Sequence, residues 1–127
     1  MRRKAVLAIF LILAPPLARA QLDLPQAAAP DGATLFQRQC ATCHTLDASA
    51  PARQGPNLAH VVGRKIGSVE GYKYTAGYQS ADVVWDEERL DKYLTSPQAM
   101  FPGSTMAYRQ QNQAIRQKII AYLKDQS

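Results

Sequence analysis

The sequence predicts a small all-α domain of three to five helices, and three observations carry that expectation. Apolar residues recur at helical spacing in three separate stretches, two of them preceded by an aspartate suited to capping a helix. No stretch alternates with the period of a strand. The segments between are rich in Gly and Pro, which read as turns and loops.

The elements come in order along the chain. Residues 1–20 have the form of a secretory signal peptide: Arg2, Arg3 and Lys4 precede an apolar run of ten, and Ala18-Arg19-Ala20 offers a small-x-small cleavage site. Ten apolar residues are too short to cross a hydrocarbon core of roughly 30 Å as a helix. Residues 21–30, Ala- and Pro-rich, read as a flexible linker, and residues 31–127 as one domain. Asp31 can cap a helix bearing Leu35 and Phe36 that runs into Cys40. Residues 57–78 read as turns, punctuated by Gly63, Gly67, Gly71 and Gly77. After Trp85, Asp86 can cap a helix whose Glu87 and Glu88 suit its positive end and whose Leu90, Tyr93 and Leu94 share a face. Pro97 stops or bends the chain, residues 98–107 read as a loop, and a last helix spans residues 110–124.

Charge excludes one class of function. The chain carries 15 Lys and Arg against 10 Asp and Glu, a net charge of +5. Cleavage after Ala20 removes Arg2, Arg3, Lys4 and Arg19, which leaves eleven basic side chains against ten acidic. That balance gives no basic surface for nucleic acid. About 107 residues then remain, a length at which a core often needs a staple or a cofactor.

Cys40-Ala41-Thr42-Cys43-His44 supplies the cofactor. Cys-x-x-Cys-His is the sequence form of covalent c-type haem attachment. Two thiols three positions apart add to two vinyl groups along one porphyrin edge, and the adjoining His44 can then reach the iron. A redox dithiol would open a helix in a βαβ setting, and no strand precedes this pair. A zinc site needs four ligands, and the chain has two Cys and two His. For the second axial ligand the sequence offers His60, Met100 and Met106. Met106 is favoured, because Pro102-Gly103-Ser104-Thr105 forms a turn that can press it against a haem face, whereas Met100 suits a core position.

In this register the chain resembles the class I (mitochondrial-type) cytochromes c, as a bacterial exported member. The likeness rests on the attachment motif, on Gly55-Pro56-Asn57-Leu58, on Val62-Gly63-Arg64-Lys65, and on Tyr74, Trp85, Tyr93-Leu94 and Pro97. Pro102-Gly103-Ser104-Thr105-Met106 and Ile120-Ala121-Tyr122-Leu123 extend it to the C-terminus. The resemblance implies the class I cytochrome c fold around one haem c bound through Cys40 and Cys43, with His44 and Met106 on the iron. It implies that the Pro56 carbonyl accepts the proximal imidazole's hydrogen bond and that Arg64, Tyr74 and Trp85 hold the inner propionate. Tyr93 would lie near the Met106 sulfur, and Gly32 and Phe36 would let the first helix cross the last near Tyr122. Ser104, Thr105 and Tyr108 depart from the family's usual Thr, Lys and Phe, and the lysine ring around the exposed haem edge is sparse.

The function expected is that of a periplasmic one-electron carrier, a monomer without a membrane anchor, relaying electrons between membrane or periplasmic oxidoreductases and not itself an enzyme. The alternatives are an electron-transfer subunit of a dehydrogenase or oxidase, and a five-coordinate haem peroxidase or gas-binding protein.

Overall fold

The computed structural model describes residues 28–127. The expected signal peptide, and the linker up to residue 27, lie outside the described residues; residues 28–30 are exposed and without regular structure. Five helices make up the described chain: α1 (Gly32–Gln39), α2 (Ala76–Gln79), α3 (Glu87–Thr95), α4 (Pro97–Met100) and α5 (Gln113–Asp125). The only β pairing among the described residues is an isolated bridge between Lys65 and Val84. None of the described helices is long and apolar enough to cross a membrane.

The three long helices start where the caps place them. The Asp31 carboxylate accepts a hydrogen bond from the Thr34 amide at 2.7 Å, and Asp86 does the same for Arg89 at 2.7 Å. Each satisfies an amide that has no partner within its helix. The last helix begins at Gln113, later than the expected 110, because Asn112 caps it by accepting from the amides of Ala114 and Ile115. Pro97 does more than end α3. With Ser96 as N-cap it takes the first position of α4, where a missing N–H costs nothing. The expected loop over 98–107 is therefore helical in its first three residues. Likewise α2 interrupts the turn-rich segment, too short to leave a periodic signature.

One core unites these pieces. Leu35 and Phe36 of α1 meet Ile119, Ile120 and Leu123 of α5, while Leu90 and Leu94 of α3 close the far side with Trp85 and Phe101. The α1–α5 crossing is tight: a Cβ on Gly32 would lie 2.7 Å from the Tyr122 Cβ, so only glycine fits there. Phe36 packs on the Tyr122 ring with centroids 5.8 Å apart. Arg116, buried at 7 % exposure, binds α3 to α5 through both oxygens of Asp91 at 2.8 and 3.2 Å. Its remaining terminal nitrogen donates to the carbonyls of Gln110 and Gln111. A buried guanidinium with this many partners offsets its desolvation.

Replacing Gly32 with Val is expected to destabilise the holoprotein by about 1–3 kcal/mol, the usual cost of overpacking, seen as a lower denaturant midpoint. An unchanged midpoint would mean the helices cross further apart.

Candidate functional site

The attachment motif is an extension of α1. The Cys40 and Ala41 amides both donate to the Phe36 carbonyl, at 2.8 and 3.0 Å, and the Cys43 and His44 amides both donate to the Cys40 carbonyl. These turns carry the chain from the helix end to His44 with both cysteines free and half-buried. Burial, reinforced by the neighbouring Cys43, pushes the Cys40 thiol up to about 11. The Cys43 thiol donates to Gln54 Oε1 at 3.3 Å.

His44 is oriented by the segment behind it. Its Nδ1 lies 2.8 Å from the Pro56 carbonyl oxygen, an acceptor only, so Nδ1 carries the proton and donates. Nε2 then presents a lone pair. Burial holds the imidazole below the ordinary histidine range, with the Pro56 bond working against that shift, so the neutral form is favoured. Gly55 is what lets the backbone come this near: a Cβ there would stand 2.7 Å from Nδ1 and 2.8 Å from Nε2. Asn57 fixes the same stretch, its amide donating to the carbonyls of Asp47 and Ala50 while its oxygen accepts from the Ala59 amide.

The other expected site residues come from three directions. Arg64 is half-buried and donates to the carbonyls of Ala59 at 2.7 Å and Asn57 at 2.8 Å, so two of its N–H groups already brace the loop. Tyr74 is half-buried, 5.8 Å from the Tyr78 ring. Trp85 is buried with its ring 4.9 Å from Tyr93. Burial, then the bond to Tyr78, pushes the Tyr93 phenol well above its usual range. Met106 is half-buried against the core; its amide donates to Ser104 Oγ at 3.3 Å and its carbonyl accepts from Gln98 at 2.6 Å. Met100 ends α4 and packs on the core. His60 is exposed and has a positive φ of 53°, facing a shallow surface hollow beside Arg64 and Glu70.

Two features escape a reading of the sequence. Thr75 Oγ1 is the one buried side-chain polar atom, among the described residues, that has no hydrogen-bond partner. Such an atom costs free energy unless a partner arrives. Tyr78 is buried, and its hydroxyl lies 2.8 Å from that of Tyr93 and 2.5 Å from Ser104 Oγ. Neither residue has a local pattern that would reveal it. A sequence shows that Thr75 comes after Tyr74, but not that its hydroxyl is sealed from water.

Comparison with known proteins gives the family that the chain is similar to. Residues 29–127 match the family described as Cytochrome c. A cytochrome c of Kluyveromyces lactis is 44 % identical over 77 residues, covering 61 % of this chain and 70 % of that protein. One from Gibberella zeae is 42 % identical over 95 residues, 74 % of this chain and 90 % of that protein. One from Sesamum indicum is 37 % identical over 104 residues, 81 % and 94 % respectively. These relatives correct one expectation. The sequence reading places the chain in the periplasm as a bacterial exported member, but the relatives come from a yeast, a fungus and a flowering plant, eukaryotes whose cells have no bacterial periplasm. The periplasmic assignment is therefore overturned.

Gly55→Ala is expected to drive the imidazole away from Pro56 and to cost about 1–3 kcal/mol in denaturant unfolding of the holoprotein. An Ala variant as stable as the parent would show that the backbone can yield behind His44.

Proposed function

The chain belongs to the cytochrome c family, whose members carry electrons on haem, and on that premise we propose a monomeric one-electron carrier with a single haem held between His44 and Met106. The cofactor is one c-type haem, covalently attached through Cys40 and Cys43, the chain's only cysteines. The residues present fit it. Two free thiols lie just beyond α1, His44 offers an unshared Nε2, Leu46, Leu58 and Met106 are half-buried apolar side chains on the core, and Thr75 keeps an unpartnered hydroxyl. When bound, the haem supplies a reversible ferric–ferrous couple.

The hydrogen bond from His44 to Pro56 carries the reading. It fixes the tautomer, aims Nε2 and raises the basicity of the imidazole, as outer partners of a metal ligand do. Met106 then offers a thioether, whose soft sulfur favours the ferrous state and so a higher reduction potential than a second imidazole would give. Tyr74, Trp85 and the remaining N–H groups of Arg64 would hold the inner propionate, with the Thr75 hydroxyl as a further donor; a buried carboxylate needs such partners. Tyr93 would lie beside the Met106 side chain.

With His44 and Met106 both bound to it, the iron would offer no open position to a substrate, which supports a carrier and not an enzyme. Its partners are redox proteins. The acidic and basic side chains are too nearly balanced over residues 21–127 for the strong steering that a large charged face provides.

The optical spectrum of the ferric protein tests this. The charge-transfer band of methionine-ligated haem is expected in the parent and in Met100→Ala, and is expected to vanish in Met106→Ala. Carbon monoxide is expected to bind the reduced Met106→Ala variant rapidly and the parent slowly. Loss of the band in Met100→Ala instead would overturn the ligand assignment, and rapid stoichiometric binding by the parent would point to a gas-binding or peroxidase haem.

A further inference from the structure

We propose that Tyr78 is a positioning residue for the haem's sixth ligand, gripping the loop that carries Met106 at both ends and holding its sulfur in place. The inference rests on Met106 as that ligand.

Tyr78 belongs to α2, a different part of the chain from the 101–106 loop, yet it touches that loop twice. Its ring stacks on Phe101 with centroids 4.3 Å apart and planes inclined at 29°. Its hydroxyl reaches Ser104 at 2.5 Å, and Ser104 Oγ in turn accepts the Met106 amide proton at 3.3 Å. Between the two contacts the Ser104 amide donates back to the Phe101 carbonyl, which closes the turn on itself. The other side of the Tyr78 hydroxyl is anchored by Tyr93 of α3. The chain Tyr93–Tyr78–Ser104–Met106 thus runs from α3 through α2 to the ligand's own backbone.

The hydroxyl has no packing role that a Phe would not fill. At 8 % exposure a buried phenol costs free energy unless its O–H is paired, and here it is paired on both sides. The three hydroxyls hold three protons and the two O···O contacts use two, so one proton at an end of the chain is left to donate beyond it. Each member strengthens the next in a buried setting, so removing any one is expected to weaken the whole chain.

The test measures how readily free imidazole displaces the sixth ligand of the ferric holoprotein, read optically. Tyr78→Phe, which keeps the ring stack, is expected to raise the imidazole association constant about tenfold, the reach of one buried hydrogen bond. Ser104→Ala is expected to do the same, and the double variant no more than either alone, because both cut one chain. Ile119→Val, which removes one methyl from the core between α1 and α5 without forcing the helices apart, is expected to leave the constant within about twofold. An unchanged constant in Tyr78→Phe or in Ser104→Ala, additive effects in the double variant, or an equal rise in Ile119→Val would each overturn the proposal. A Met106→Ala variant that keeps its charge-transfer band overturns the ligand assignment instead, which is a separate failure.

Discussion

The close crossing of α1 and α5 is the contact from which the rest of the structure is placed. Gly32 removes the one Cβ that would hold the helices apart, and Phe36 then packs on Tyr122. Because α1 runs without a break into Cys40, setting that helix also sets both thiols and His44. Because α5 is tied to α3 through Arg116 and Asp91, the same crossing fixes the helix that carries Tyr93. A small core succeeds here by making a few contacts serve two purposes, burial and the aiming of functional side chains.

Between the helices, order comes from side chains bonding to backbone. The 44–75 segment has almost no regular structure, so its amides and carbonyls cannot satisfy one another in a ladder. Asn57, Arg53 and Arg64 take up carbonyls of Asp47, Ala50, Ala41, Ala59 and Asn57 instead. Such a loop is stiff without being helical or extended, which suits a segment that must hold an imidazole at one angle. It explains why Arg64 spends part of its hydrogen-bonding capacity on the backbone.

The parts of this protein that are local were legible from the residues. Asp31 and Asp86 announce their helices because capping needs only a carboxylate three residues ahead of an amide. The pentapeptide at Cys40 announces its chemistry because thiol and imidazole must be adjacent in sequence to reach one porphyrin. Features that depend on distant partners were not legible. α4 hides behind Pro97, which signals a stop as readily as a start. Thr75 and Tyr78 matter because of the groups that lie against them across the core, and neither carries that in its neighbours along the chain. The cellular compartment was misread for a further reason: residues 1–20 say what the amino terminus looks like, whereas the relatives bear on the remainder.

The Tyr108 hydroxyl donates to Gln39 Oε1 at 2.5 Å, and Lys118 donates to the Pro30 carbonyl, so residues 69 and 88 apart in sequence are fastened together at the two ends of the domain. Bringing such distant segments together has an entropic cost that rises only with the logarithm of the loop, about 0.6 kcal/mol for each doubling. Once that first closure is made, the segments bearing His44 and Met106 belong to one ring of chain, and each later contact inside it closes a much shorter path. Such long-range contacts therefore act through chain entropy as well as through packing: with them in place, the closures inside the ring are comparatively inexpensive.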